Sequence, residues 1–165
     1  MAWLRACVSA MVLLLVATAP AQEFRALWAD TFHAGLRNSN EVAQLVSEAR
    51  AGHCNAVIVE VRKRGDAYYN SNYEPKATDI SPSNYDPLAD LITRAHSGGP
   101  RLEVHAWITT YLIWNNQTDP PPQANHPYRL HPEWLSQNSQ NSGWLGVSLR
   151  TGVMKPWVVR AKAQK

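Results

Sequence analysis

Residues 55–66 of this 165-residue chain, NAVIVEVRKRGD, run from an apolar segment into a polar, glycine-containing turn. The first half is rich in β-branched residues, which is typical of a strand buried on both faces. The second half allows three interpretations. Arg62-Lys63-Arg64 could contact nucleic acid, Arg64-Gly65-Asp66 is a tripeptide that some cell-adhesion receptors bind, and the whole polar half could form the rim of the strand. The neighbouring segments decide among the three.

Strand-like and helix-like segments alternate on both sides of this stretch. Asn38 followed by Glu41 is a capping-box pattern that begins a helix, and Gly52 ends it. Asp86 followed by Pro87 begins a second helix, because aspartate caps a helix and proline at its first position loses no needed hydrogen bond. This order predicts an α/β fold with parallel strands. The predicted strands are residues 24–30, 55–61 and 102–109, and residues 115–143 are predicted as a long loop with a short helical turn at 132–135.

The first 21 residues have the pattern of a signal peptide: Arg5 precedes an apolar run, and a small-residue cleavage site ends at Ala21. The apolar run is too short for an ordinary membrane span, which takes about 20 residues. We therefore predict an exported protein, periplasmic or extracellular, with no stable membrane span after cleavage. Cys54 is the cysteine that remains, and its place at the start of an apolar strand predicts a buried, unreactive thiol.

The charge is unevenly distributed along the chain. Residues 22–149 carry 10 basic and 13 acidic side chains, a net charge of −3, whereas residues 150–165 carry five basic side chains and no acid. A mildly acidic body argues against nucleic acid as a partner, since nucleic-acid binding needs a basic face on the fold itself. The spacing of His96 and His105 does not suit metal ligation, and we predict no metal and no cofactor.

Alternation along the predicted strands separates an apolar face from a polar one. Val57, Val59 and Val61 share a face that suits packing under helices. An isolated buried ionic group is costly unless it is paired, so the polar face is either a shared network or a site reached by solvent. One alternative stays open, in which these polar residues only pair with one another inside a core. The polar face comprises Trp28, Asp30, Glu60, Arg62, Glu103, His105, Trp107 and Thr109.

The rim interpretation of the opening stretch follows from this alternation. Arg62 continues the inward-facing row, while Lys63 and Arg64 begin the turn that leaves the strand. Gly65 is the flexible point, and Asp66 can point back over the strand end. In parallel α/β folds ligands bind outside the carboxyl ends of the strands, where these residues fall. The adhesion interpretation has no support from an exposed hairpin tip in the sequence.

Three ordered motifs resemble the glycosyl-hydrolase-like family 10 domain. They are EFRALWAD at residues 23–30, VEVRKRGDAYYNS at 59–71 and LEVHAWITTYLIWN at 102–115. The common form of the family has an E-x-R-x-x-W opening, a V-R-x-R-G-D-A-x-Y second-strand end and an E-V-H-A-W third strand. The resemblance covers residues 23–135 and implies a (β/α)8 barrel of exported bacterial proteins that act on polysaccharide, including cell-wall glycan.

The resemblance also implies the candidate site residues. Glycosidic cleavage usually needs two carboxyl groups that flank the bond. A second interpretation is a glycan-binding module without catalysis, and a third is a gene fragment without function. Core packing is the alternative for the aromatic residues, and it is favoured more for Trp28 than for Trp114. The candidate catalytic residues are Asp30, Glu60, Asp66 and His105, and the candidate substrate-binding residues are Arg62, Trp107, Tyr111 and Trp114.

The chain departs from the family pattern in length. A full (β/α)8 barrel takes about 250 residues, and 144 follow the predicted cleavage site. We therefore predict the N-terminal βαβαβ portion of such a barrel, truncated after the third strand, at residues 22–140. Residues 141–165 are predicted to be a basic tail unlike the family, with out-of-frame translation as one explanation. Such a chain is expected to be inactive alone and to leave an unpaired sheet edge. No oligomeric state is indicated.

Overall fold

The structure is a computed structural model that describes residues 23–116, 119–135 and 147–148. Three strands alternate with two helices and form a parallel sheet in the order β1-β2-β3, which confirms the predicted α/β alternation. Two later strands form a separate antiparallel pair. In chain order the elements are β1 Ala26–Ala29, α1 Ser39–Ala51, β2 Ala56–Arg62, α2 Pro87–His96, β3 Glu103–Ile108, β4 Leu112–Trp114, α3 Pro127–Leu130, a 3-10 helix Pro132–Trp134 and β5 Val147–Ser148.

Both long helices begin at the predicted caps. The Asn38 side chain accepts the backbone N–H groups of Asn40 and Glu41 at 3.1 and 3.0 Å. The Glu41 carboxylate does not return to the Asn38 N–H, as a capping box would; it accepts the N–H groups of Gly35 and Arg37 at 2.8 and 3.0 Å. Glu41 therefore fixes the loop before α1 as well as the helix start. Asp86 caps α2 through the backbone N–H of Ala89 at 3.0 Å.

The apolar face of β2 lies in the core, as predicted. Val57, Val59 and Val61 are at most 2% exposed and belong to a cluster that includes Leu45 of α1 and Leu91 of α2. Each fully buried valine or leucine contributes about 1.5–3 kcal/mol, so this face accounts for much of the attachment of the helices to the sheet. Cys54 is half-buried against the same cluster, less enclosed than predicted.

The apolar face of β3 is only partly covered. The backbone N–H of Leu102 donates to the carbonyl of Ala95 in α2 at 2.9 Å, and Leu102 is fully buried. Ala106, four residues further on, is exposed in the described part of the chain. Val104 and Ile108, on the same face, are partly buried and pack against the core cluster, so the cover over this face is incomplete at Ala106.

The region after β3 contains more regular structure than predicted. The helical turn expected at 132–135 is present as the 3-10 helix Pro132–Trp134, but β4 and α3 were not predicted. Helix α3 begins at an unusual cap, His126, whose side chain accepts the Tyr128 N–H at 3.2 Å. The predicted signal peptide and nearly all of the predicted tail lie outside the described residues. Within the described ranges, no helix is long and apolar enough to cross a membrane.

Candidate functional site

The three parallel strands bring their carboxyl ends to one edge of the sheet. Their register places Ile58 beside Trp28 on one side and beside His105 on the other, so the polar rows of the three strands share a face, as predicted. The β2–β3 register shifts between Glu60 and Arg62. A shift of this kind re-aims a side chain, and here it turns Arg62 toward the end of β3.

Glu60 lies in the middle of this edge and accepts hydrogen bonds on both carboxylate oxygens. Oε2 accepts the backbone N–H of Thr31 at 3.0 Å and the Thr31 hydroxyl at 2.7 Å. Oε1 accepts the Thr109 hydroxyl at 2.9 Å. Thr31 follows β1 and Thr109 follows β3, so donors from both neighbouring strands hold the carboxylate. Glu60 is 1% exposed, and these three donors offset the cost of burying its charge.

Arg62 ties the loop after β2 to the end of β3. Its Nε donates to Glu74 Oε1 at 2.6 Å, and its Nη1 donates to the backbone carbonyls of Thr109 and Thr110. The side chains of Arg62 and Glu74 are 8% and 7% exposed, which makes them a buried ion pair. Arg62 is predicted to orient a carboxylate or a sugar hydroxyl, and the carboxylate that it contacts is that of Glu74.

Lys63 is also buried, on the opposite side of Glu60. Its ammonium donates to the backbone carbonyl of Thr31 at 3.0 Å and to Asp79 Oδ2 at 3.2 Å. It also lies 5.0 and 5.2 Å from the ring centres of Phe32 and Tyr68, within the range of cation–π attraction. The Tyr68 hydroxyl donates to Asp79 Oδ1 at 2.7 Å. Burial, followed by this hydrogen bond, raises the pKa of Tyr68, so the hydroxyl stays a donor.

The turn that follows is closed by its own residues and by one distant histidine. Gly65 has a φ of 75°, and Asp66 Oδ1 accepts the Arg64 N–H at 2.9 Å. His126 Nε2 lies 2.8 Å from the Arg64 carbonyl. A carbonyl only accepts, so Nε2 carries the proton and Nδ1 accepts the Tyr128 N–H. Burial lowers the pKa of His126, which keeps the ring neutral.

These contacts exclude two interpretations of the opening stretch. Arg62, Lys63 and Asp66 are 6%, 4% and 4% exposed. A nucleic-acid patch and an adhesion tripeptide both need exposed side chains, so neither is present here. The alternative in which the polar residues pair with one another inside a core does not hold. Glu103 and His105 pair at 2.9 Å, but with side chains 62% and 47% exposed they lie outside the core. The buried residues of the edge contact other partners.

Asp30 stands at the end of β1 and is the more accessible carboxylate, with a side chain 34% exposed. His33 Nδ1 lies 2.9 Å from each of its oxygens, and Oδ1 accepts the backbone N–H groups of Phe32 and His33. The hydrogen bond from the His33 ring, ahead of the backbone bonds, holds the pKa of Asp30 below its ordinary value of 3.8. Asp30 is therefore an ionised, oriented carboxylate at neutral pH.

An aromatic row lies below these carboxylates on the same face. Trp28 and Trp107 form an edge-to-face pair with ring centres 5.3 Å apart, and Phe24 packs edge-on against His105 at 5.5 Å. Trp28 is 60% exposed. Core packing, the alternative favoured more for Trp28 than for Trp114, is therefore not observed for Trp28, because this face of the sheet carries no covering layer among the described residues.

The two aromatic residues predicted beyond β3 differ in accessibility. Tyr111 is 44% exposed. Trp114 is half-buried: its Nε1 donates to the Asp119 carbonyl at 2.7 Å, and the Arg64 guanidinium lies 4.9 Å from its ring centre. Trp114 thus packs against protein groups, while Tyr111 is free to contact a ligand.

The structure brings only some predicted site residues together. Glu60, Arg62 and Asp66 lie at or near the carboxyl edge with Asp30, whereas His105 lies opposite Ile58, lower on the sheet. Residues of the edge that the sequence did not single out are Thr31, Glu74, Asp79 and His126. The position of Thr31 directly after a strand was a usable signal. Within the described ranges no group of three His, Cys, Asp or Glu residues is arranged to hold a metal ion.

Comparisons with known proteins agree with the motifs. The sequence profile of the Glycosyl hydrolase-like 10 family matches residues 23–162, a range that runs past residue 140. The chain is also similar to Glycosyl hydrolase YngK of Bacillus subtilis (strain 168), with 35% identity over 102 residues, which are 58% of this chain and 20% of that protein. The chain thus spans about a fifth of the length of this curated relative.

Proposed function

The chain belongs to the glycosyl hydrolase-like 10 family, and from this premise we propose that it contributes to the hydrolysis of O-glycosidic bonds in a polysaccharide of the cell envelope or the environment. Under this proposal the parallel sheet is the opening βαβαβ portion of a (β/α)8 barrel, and its polar and aromatic face lines the barrel interior. The chain is proposed to be exported by the N-terminal signal peptide. Active sites of such barrels lie at the carboxyl ends of the strands, where Asp30 and Glu60 are found.

The observation that carries the proposal is the exposed aromatic row that leads up to these carboxylates. Trp28 is two residues before Asp30 on the same strand face, and Trp107 is in register with Glu60. Aromatic faces beside carboxylates suit a ligand that presents C–H groups and hydroxyls, as a sugar does. Tyr111 extends this surface beyond β3.

The two carboxylates are suited to different roles. Asp30 is partly exposed and has a lowered pKa, which fits an ionised nucleophile or general base better than a proton donor. Glu60 is enclosed, with both oxygens occupied, which fits a fixed negative charge that stabilises positive charge developing on the sugar. The proton-donating partner is proposed to lie on a later strand of the whole barrel. Asp66 and His105 stay candidates for supporting roles.

Hydrolysis is tested with a panel of peptidoglycan glycan strands and plant polysaccharides, by measuring the release of reducing ends. We expect release by the chain joined to the remaining barrel strands, little or none by the chain alone, and loss of release in Asp30→Asn of the joined protein with binding retained. Trp28→Ala and Trp107→Ala should each weaken glycan binding about tenfold, since truncating an aromatic anchor costs more than about 1 kcal/mol. The control is Tyr73→Ala, at an aromatic residue 74% exposed and outside the proposed site. Equal binding by all three variants would refute the aromatic platform.

Glycan binding without catalysis is the second candidate. The enclosure of Glu60, 1% exposed with both oxygens occupied, favours it, because Glu60 cannot then serve with Asp30 as the second of the two carboxyl groups that glycosidic cleavage usually needs. Trp107 and Tyr111 would then supply the binding surface, and the predicted third member, Trp114, packs against protein groups instead. Binding of polysaccharide with no reducing ends released, unchanged in Asp66→Asn, would favour this candidate over hydrolysis.

A further inference from the structure

Two threonines hold Glu60, and each of them is in turn held by a buried cation. Thr31 donates to Glu60 Oε2 and accepts from Lys63 through its carbonyl. Thr109 donates to Oε1 and accepts from Arg62 through its carbonyl. The two arrangements mirror each other across Glu60. The adjacent cations of the opening stretch therefore reach opposite sides of the same carboxylate.

The Lys63 contact restrains Thr31 more strongly than an exposed hydrogen bond could. Lys63 is 4% exposed, and Thr31 is 1% exposed. A charge-assisted hydrogen bond is about twice as strong as a neutral one, and its removal leaves the Thr31 carbonyl buried without a donor. Asp79 holds the ammonium from the other side, and the rings of Phe32 and Tyr68 close around it. These contacts hold the ammonium next to the end of β1.

We propose that Lys63 is a positioning residue for the Glu60 carboxylate and acts through Thr31. Lys63 donates to the Thr31 carbonyl and to Asp79, and no hydrogen bond joins it to Glu60 directly. By fixing the Thr31 carbonyl it fixes the backbone N–H and the hydroxyl that both donate to Glu60 Oε2. The catalytic meaning of this positioning rests on the proposed function, but the positioning itself does not.

The test compares NMR spectra of the full chain with those of single variants, all recorded at the same neutral pH. The observed signals are the side-chain carboxyl carbon resonance of Glu60, assigned by its loss in Glu60→Gln, and the amide resonance of Thr31. Lys63→Met should shift both, because Thr31 loses the donor that fixes it. The matched control is Lys76→Met, which removes an ammonium bonded to Asn70 Oδ1 and the Tyr85 carbonyl, with no contact to Thr31. It should shift neither signal.

A second perturbation covers the case in which Lys63→Met does not fold. Asp79→Asn changes a carboxylate 38% exposed and frees the Lys63 ammonium on one side, so smaller shifts of the same two signals are expected. Unchanged Glu60 and Thr31 resonances in a folded Lys63→Met protein, or in Asp79→Asn, would overturn the proposal. If glycan hydrolysis is observed, Lys63→Met should lower kcat with KM unchanged, and Lys76→Met should change neither. Absence of hydrolysis even in the wild-type chain joined to the remaining barrel strands would count against the proposed function, and the resonances of Glu60 and Thr31 would still decide whether Lys63 positions Glu60.

Discussion

Replacement of Glu74 by glutamine is the sharpest test of the buried charges at the sheet edge. The substitution keeps the shape of the side chain and removes the negative charge 2.6 Å from the Arg62 Nε. Both side chains are less than a tenth exposed, so the guanidinium would stay buried without a counter-charge. Breaking a buried ion pair costs about 3–5 kcal/mol. The glutamine oxygen can still accept from Nε, and two backbone carbonyls remain on Nη1, which places the expected loss near the lower end, about 3 kcal/mol.

Urea unfolding followed by tryptophan fluorescence measures this loss by linear extrapolation. The control is Glu23→Gln, which breaks the ion pair of Glu23 with Arg25 at 3.0 Å. In this pair the Arg25 side chain is 47% exposed and the Glu23 side chain 73% exposed. Exposed pairs contribute about 0–1 kcal/mol, so the control should change the free energy of unfolding by no more than that. A Glu74→Gln loss no larger than the control loss would refute the reasoning, because Arg62 would then be solvated well enough to need no partner.

Three further predictions follow from local geometry. Gly65→Ala and Gly98→Ala both place alanine at positive φ, but of the two new Cβ atoms only the one at Gly65 would meet a buried group, His126, at 3.0 Å. The free energy of unfolding should fall by about 1 kcal/mol in Gly98→Ala and by clearly more in Gly65→Ala. Equal losses in the two variants would contradict the contact with His126. Burial lowers the folded pKa of His126 below its unfolded value of 6.5. The stability that the neutral ring contributes is therefore present above pH 6.5 and is lost as the pH falls toward the folded pKa. When urea unfolding is measured at about pH 7.5 and again at about pH 5.5, His126→Gln should lose less stability between the two than wild type does. Asn38→Ala should cost about 1 kcal/mol, because two backbone N–H groups of α1 lose their acceptor; a change below a few tenths in the same assay would show that solvent replaces the cap.

The elements of the fold were predictable because their signals are local. Helix α1 begins at Asn38 and α2 at Asp86, as the capping residues indicate, and the three strands lie inside or within one residue of the predicted ranges. Alternation along β2 also placed the valines in the core and Glu60 on the polar face. Strand ends were less accurate, since β1 spans Ala26–Ala29 and not residues 24–30, because pairing decides where a strand ends.

The partners of the site residues were not predictable, because they depend on where distant loops return. Glu74 and Asp79 lie in the loop after β2, which has no periodicity, and only the folded loop brings them to Arg62 and Lys63. The exposure of Trp28 also depends on what covers the sheet and not on its own strand. Sequence reasoning thus identified the face of the site, while tertiary packing determined which charges are paired and which are free.

The hydrogen bonds around Glu60 have a consequence for folding kinetics. The donors come from Thr31 and Thr109, which are 29 and 49 residues away along the chain. Contacts of such separation form only after the entropy of closing long loops has been overcome. The carboxylate therefore acquires its orientation in the same step in which both edges of the central strand become paired. In an intermediate that has paired only β1 with β2, Glu60 Oε2 would have its donors from Thr31, but Oε1 would still lack the Thr109 hydroxyl. Pairing of β3 would then complete the sheet and the hydrogen bonds of Glu60 in one kinetic event.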